Sequence, residues 1–196
     1  ADQGHSVMMW SFEDEVAKTI NHHRINEKYL PGVTLADNIR ATSDAEEAVR
    51  EREIIVSVCP AQHVRSVTAK WADTASSSAV IVSASKGIEQ GTGLLISDVF
   101  QEVLPERLKS RIAFLSGPSF AMEVATKKPT VVVVAAKQEQ LAEEVQHLFA
   151  LPTFRTYRST DVVGVEVGGA LKNVIALATG ICDGMDLGHN ARAALI

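Results

Sequence analysis

The sequence predicts an α/β fold, a doubly wound, mostly parallel sheet with helices on both faces, followed by one long helix. Three observations carry the prediction. Short apolar, β-branched runs alternate with helix-like runs along most of the chain. Three successive strand-like runs end in small, polar loops, where sheets of this kind place their ligands. Residues Asp161–Met185 form one unbroken helical pattern. The composition agrees: 196 residues, 46% hydrophobic and 22% charged, with net charge −5. That is ample apolar material for a core and excludes a largely disordered chain. The mild acidity gives no electrostatic case for nucleic acid or an anionic membrane.

In order, Ser6–Trp10 reads as a strand and Glu13–Ile25 as a helix with Ser11 as its cap. Tyr29-Leu30-Pro31-Gly32 reads as a turn and Ile39–Thr42 as a short strand. Ser43-Asp44-Ala45-Glu46 has capping-box spacing and starts a short helix. Glu53–Val58 is continuously apolar, as a strand buried on both faces would be. Then come helix Ala61–Trp71, strand Ala79–Ser83, helix Thr92–Val103, strand Arg111–Ser116, a short helix Phe120–Ala125, strand Thr130–Ala135 and helix Gln138–Phe149.

The strand-end loops are Ser57-Val58-Cys59-Pro60, Ser83-Ala84-Ser85-Lys86-Gly87 and Ser116-Gly117-Pro118-Ser119. Turn chemistry alone explains such residues in any one loop; three together, one with a lysine, also suit a ligand site. In the long helix, Val167, Leu171, Val174, Ala178 and Ile181 make one apolar stripe. Lys172, Ala176, Thr179 and Asp183 share a second face. Gly168 and Gly169 cost helix stability of up to ~1 kcal/mol each, which close approach of a ligand or backbone would justify. Lys172 is either a solvated helix lysine or part of that site.

Cys59 and Cys182 fit no metal or disulfide spacing and read as two buried, reduced thiols. His22, His23, His63 and His147 read as solvated or packed, and no metal is expected. The longest apolar runs, near Val131–Ala136 and Val174–Ala178, fall short of the ~20 residues that span a bilayer. Ala1–Gly4 reads as a helix tail and Asn190 as the cap of a helix with six residues after it. The chain is therefore expected to be an internal segment of a longer protein.

Several blocks, in order, resemble the NAD(P)-dependent glycerol-3-phosphate dehydrogenases of bacterial type. They are Ser85-Lys86-Gly87-Ile88-Glu89, Ser116-Gly117-Pro118-Ser119-Phe120-Ala121, and Gly164-Val165-Glu166-Val167-Gly168-Gly169-Ala170-Leu171-Lys172-Asn173-Val174-Ile175-Ala176. Asp183-Gly184 and the stretch Asn190–Ile196 extend them. The resemblance implies a Rossmann-like dinucleotide domain over residues 1–158 and the opening of an all-α substrate domain over 159–196. It implies hydride transfer between NAD(P)H and dihydroxyacetone phosphate, giving sn-glycerol 3-phosphate for glycerolipid synthesis. Lys172 would be the general acid, its ammonium partly desolvated. Lys86, Gly117, Ser119, Lys172 and Asn173 would bind substrate. Phe12, Pro60, Lys86 and Ala121 would face the cofactor. The family's Gly-rich phosphate loop and its phosphate-gripping Ser-Arg-Asn segment are not among these residues, and His189 stands where the family commonly has Asp.

Glu13 follows the first strand, where an acid favours the ribose of NAD; it can equally be a first-turn acid suited to the helix dipole. The cofactor expected is NAD or NADP, leaning to NAD. A cytoplasmic, homodimeric whole protein is implied, with organellar location open. Alone, these residues are expected to lack dehydrogenase activity and to associate through an open sheet edge. A ketopantoate reductase-like or β-hydroxyacid dehydrogenase, and a catalytically inactive truncated product, are the competing readings.

Overall fold

A computed structural model describes residues 1–196. β1 (Val7–Trp10) leads to α1 (Asp14–His23), a hairpin of β2 (Ile25–Asn26) and β3 (Leu30–Thr34), and β4 (Ile39–Thr42). β1 pairs in parallel with β4. α1 buries Val16, Ala17 and Ile20 against Ala41 beneath it.

A five-stranded sheet follows, in the order β5 (Ile54–Ser57), β6 (Val80–Ser83), β7 (Ile112–Ser116), β8 (Thr130–Ala136) and β9 (Phe154–Ser159). α2 (Ala45–Val49) precedes it, and a 3-10 turn (Ala61–His63) with α3 (Val64–Thr68) links β5 to β6. α4 (Ile96–Val103) and α5 (Glu106–Lys109) precede β7, α6 (Ala121–Ala125) precedes β8, and α7 (Glu139–Phe149) precedes β9. The period of two along each strand splits the core into two layers. Ile55, Ile81, Ile112 and Phe114 face Val64, Val99, Phe100 and Leu108. Val80, Val82, Ala113, Leu115, Val132 and Val134 face α7 through Leu141, Ala142 and Val145. Helices thus cover both faces, as expected.

The chain ends in α8 (Val162–Gly184) and α9 (Gly188–Leu195). The Asp161 carboxylate caps α8, accepting the Gly164 N–H at 2.8 Å. β1 pairs only with β4 and β5 only with β6, so both carry an unpaired edge. That is the open edge expected from the sequence.

Several local readings are corrected. β8 runs antiparallel to β7. The connection explains it: the five residues of α6 rise only about 7.5 Å, too little to carry the chain back along a strand of about 17 Å. α7, with 11 residues, does so, and β8 and β9 are parallel. β9 is not anticipated, because its Arg155 and Arg158 suit a charged edge strand rather than an apolar run. Pro31 and Gly32 lie within β3, an outer strand of a hairpin that tolerates both. β5 is not buried on both faces: Val56 is 45% exposed at the sheet edge, and β6 is the fully buried strand.

Ser11 does not cap α1; its N–H still pairs with Thr42, and Glu13 takes the cap position. The cap of α2 is Asp44 and not Ser43. α4 begins at Ile96 because Gly91 and Gly93 take positive φ and Thr92 turns back to Glu89. Asn190 lies inside α9, whose cap position is Leu187. Ala1–Gly4 is a single hydrogen-bonded turn. Cys182 is buried, but Cys59 only half-buried.

The largest difference concerns α8. Its predicted apolar stripe is not core: Leu171, Val174 and Ile181 are 45%, 59% and 61% exposed. By length and composition its 23 residues, with an 18-residue window of mean hydropathy 1.4, are enough to cross a membrane. The short apolar runs of the sequence hide this, because glycine and alanine join them into one helix.

Asp44→Ala should lower stability by about 1 kcal/mol, the usual worth of a side-chain cap, whereas Ser43→Ala should cost under about 0.5 kcal/mol. Urea unfolding of both variants checks the assignment.

Candidate active site

The strand ends of β5, β6 and β7 converge as the sequence suggests. The Ser85 hydroxyl donates to the Cys59 carbonyl at 2.6 Å, joining the first two loops. Lys86 joins the second and third: its Nζ donates to the Gly117 carbonyl at 2.8 Å and the Ser119 hydroxyl at 3.2 Å. The glycines make this possible. Gly117 has φ +145°, and a Cβ there would meet the Val131 carbonyl at 2.8 Å. Gly87 has φ +133°, with Ala61 Cβ 3.1 Å from a Cβ placed there.

α8 closes the site from above. A Cβ on Gly169 would lie 2.6 Å from Ser116 Oγ and 3.7 Å from Lys86 Cγ. This glycine therefore lets the helix meet the end of β7. Gly168 faces open space, and no part of this chain packs against it. One turn beyond Gly168, Lys172 holds its ammonium 5.8 Å from the Phe120 ring centre. Burial, then the positive charge of Lys172, push the Lys86 ammonium below its ordinary pKa. Lys172 itself is exposed, so the expectation of a partly desolvated Lys172 is not met. The lysine that burial touches is Lys86. Asn173 and Ala121 are exposed beside this cluster.

Phe12 and Pro60 are not drawn into it. Phe12 is 77% exposed at the end of β1, where Lys70 sits 5.9 Å from its ring and 6.0 Å from that of Trp10. Pro60 is exposed at the end of β5. Each is an exposed apolar residue just past a strand end. Glu13 is engaged: Lys28 Nζ and the Tyr29 hydroxyl each donate to its Oε1 at 2.8 Å. These two partners hold its carboxyl below the usual range. No group of three or more metal-ligating side chains is present.

Sequence reasoning missed Glu166. It sits inside an apolar helix, and that isolation was the available signal. Its Oε1 accepts the Ser97 N–H at 2.9 Å, at the N-terminal end of α4, where a helix dipole favours an anion. Oε2 is buried without a hydrogen-bond partner. Burial pushes this carboxyl above its ordinary 4.5, against the pull of the Ser97 bond.

With the geometry in place, the comparisons decide the family. The profile of the NAD-dependent glycerol-3-phosphate dehydrogenase N-terminus matches residues 1–142, and that of the C-terminus matches 161–196. The chain belongs to the NAD-dependent glycerol-3-phosphate dehydrogenase family. It is 47% identical over 196 residues to a glycerol-3-phosphate dehydrogenase [NAD(P)+] of Syntrophobacter fumaroxidans, covering all of this chain and 58% of that protein. The glycerol-3-phosphate dehydrogenase structure from Coxiella burnetii superposes with a TM-score of 0.84 at 31% identity, over 99% of this chain and 58% of that one. The Plasmodium falciparum enzyme gives 0.86 at 31%, over 97% and 54%. The chain spans less than two thirds of the length of the curated relatives it matches. A ketopantoate reductase of Ralstonia eutropha, 14% identical with a TM-score of 0.63, shares the fold alone.

The glycines separate cleanly as variants. Gly117→Ala should destabilise the family member by about 1–3 kcal/mol, from its backbone conformation and the blocked carbonyl. Gly169→Ala should be close to neutral, because turning the Ser116 hydroxyl away offsets the helix-propensity gain, and adding Ser116→Ala should leave a net stabilisation of up to about 1 kcal/mol. Gly168→Ala should stabilise by about 0.5–1 kcal/mol through helix propensity. Thermal melts of the four chains check the set.

Glu166 gives a pH prediction. A carboxyl raised on folding contributes stability that is complete below 4.5 and lost as pH rises through its folded pKa. Glu166→Gln lacks that loss and keeps the acceptor for Ser97. Between about pH 4 and about pH 7, the denaturation midpoint of the variant should therefore gain on that of the native chain. A constant gap would show that Glu166 does not titrate abnormally.

Proposed function

We propose that the protein carrying this chain interconverts dihydroxyacetone phosphate and sn-glycerol 3-phosphate with NAD(P)H, supplying glycerol 3-phosphate for glycerolipid synthesis. The observation that carries the reading is the pair of lysines at the meeting of three strand ends: Lys86 bound to Gly117 and Ser119, and Lys172 above it on α8. The names of the curated relatives support it.

In this reading residues 1–158 form the dinucleotide domain and 159–196 open the helical substrate domain. The nicotinamide, when bound, supplies or takes the hydride. Phe12, Pro60, Lys86 and Ala121 would hold the cofactor along the strand ends. Lys86, Gly117, Ser119 and Asn173 bind the substrate, and the Lys86 charge suits its phosphate or its carbonyl oxygen. Lys172 Nζ gives a proton to the carbonyl oxygen as negative charge develops there, and takes one back in the reverse direction. Its exposure leaves it free to reach a ligand.

Glu13 does not by itself select NAD. A carboxylate already neutralised by Lys28 repels a second phosphate less than a bare one, and Lys70 adds positive charge over Phe12. Both cofactors therefore stay in the proposal, as in the names of the relatives. A cytoplasmic homodimer acting on small phosphorylated molecules belongs to the same reading. We do not assign α8 to a membrane, because the Glu166 bond to α4 and the Gly169 contact with the end of β7 tie its first half to the domain.

Lys172→Met should lower kcat by about 10²–10⁴-fold, the usual worth of a general acid, with little change in cofactor affinity. Lys86→Ala and Ser119→Ala should instead raise KM for dihydroxyacetone phosphate. NADH oxidation followed at 340 nm, a wavelength set by the reduced nicotinamide, distinguishes the roles. Normal kcat in Lys172→Met would remove this lysine from the chemistry.

A further inference from the structure

The loop that carries Lys86 is gripped along its length by one neighbouring segment, yet nothing in that segment touches the Lys86 ammonium. The Cys59 carbonyl holds Ser85. Ala61 packs where Gly87 has no side chain. Gln62 spans the next turn: its Nε2 donates to the Ile88 carbonyl at 2.9 Å, and its Oε1 accepts the Gln90 N–H at 2.8 Å. One side-chain amide thus supplies the donor and acceptor that a neighbouring strand would supply.

Three residues on, Arg65 forks onto Glu89. Its Nε donates to Oε1 at 2.9 Å and its Nη2 to Oε2 at 2.8 Å. The third guanidinium nitrogen pairs with Glu102 at 2.8 Å. Glu89 is only 7% exposed and also accepts the Thr92 hydroxyl at 2.7 Å. A buried carboxylate must be paired to be tolerated. Its two oxygens are matched to a planar fork that lysine cannot reproduce. This is a stronger geometric constraint than the exposed ion pairs elsewhere on the surface provide.

We propose that Gln62 and Arg65 are positioning residues for Lys86: they fix the loop just beyond Gly87, from Ile88 to Gln90, as the Cys59 carbonyl fixes it at Ser85, so that the lysine is held across from Gly117 and Ser119. The inference deepens the substrate-binding role proposed for Lys86 and rests on it for its effect on turnover. Misplacement of a binding group by about 1 Å can cost up to roughly 10²-fold in rate, so the latch is a route by which two residues outside the site set its affinity.

The test compares Gln62→Ala, Arg65→Lys and the control Arg158→Ala, which removes exposed ion pairs with Glu139 and Glu143 that do not touch this loop. Two measurements use the protein without substrate. Amide exchange should rise roughly tenfold over Gly87–Gly93 in the first two variants, with β8 and α7 unchanged. Acylation of Lys86 by an N-hydroxysuccinimide ester, located by mass spectrometry, should rise several-fold. In turnover, KM for dihydroxyacetone phosphate should rise about tenfold while kcat falls by less than about threefold. Arg158→Ala should move none of these. Exchange and labelling equal to the native protein would overturn the inference. So would raised exchange with unchanged KM, which would make the latch merely structural. Native protein with no turnover would overturn the substrate assignment instead, and the labelling arm would still decide whether the latch positions Lys86.

Discussion

The approach of α8 to the end of β7, where Gly169 lies against Ser116, is the contact on which the site depends. It brings a helix that bears Lys172 over a sheet whose neighbouring strand bears Lys86. A Cβ at that point would make the Ser116 hydroxyl turn away. The same close tolerance recurs below it. Gly117 must turn tightly against Val131 and Val132 for its carbonyl to face the Lys86 ammonium. Glu166, one turn earlier on the same face, secures the helix through Ser97 at the start of α4. Site geometry here follows from a few backbone approaches, and the charged groups are placed by them.

The architecture was legible in the sequence where period and punctuation agreed. β6 and β7 are short, apolar and inside the sheet, and both stand where they are expected. The long helix is found almost to the residue, since its cap, Asp161, directly precedes the pattern. What was not legible required knowledge of neighbours. The antiparallel turn of β8 depends on how far α6 can carry the chain, a length too short for pattern reading to fix. β9 reads as polar because it is an edge. Asp44 rather than Ser43 caps α2 because the Ser43 hydroxyl turns to Asp14 instead. Ser11 loses its cap role because the β1–β4 ladder still claims its backbone.

For the site, the sequence singled out the three loops and Lys172, and the structure brings the loops together around Lys86. It did not single out Gln62, Arg65 or Glu89, whose meaning lies in a contact between residues 24 and 28 positions apart. Their only local trace is the spacing of Gln62 and Arg65, three residues apart and so on one side of a helical turn. The stripe of α8 shows the converse failure. An apolar period predicts which residues share a face, but it does not say what lies against that face. Here Val174 and Ile181 stay exposed.

Two lysines facing one another also say something about the chemistry the site can accept. Burial, then the positive charge of Lys172, disfavour the charged form of Lys86, whose pKa is lowered. No carboxylate forms an ion pair with either lysine, and the Lys86 ammonium meets only the Gly117 carbonyl and the Ser119 hydroxyl. Glu166 borders the same small cavity as Lys86, yet it turns to Ser97 and is itself pushed toward the neutral form. The unbalanced charge is therefore positive, and an anion entering between the lysines would relieve the repulsion and return Lys86 toward its ordinary affinity for protons. A neutral ligand would do neither. The positive charge at these strand ends is thus gathered by the same backbone approaches that let the helix descend onto the sheet.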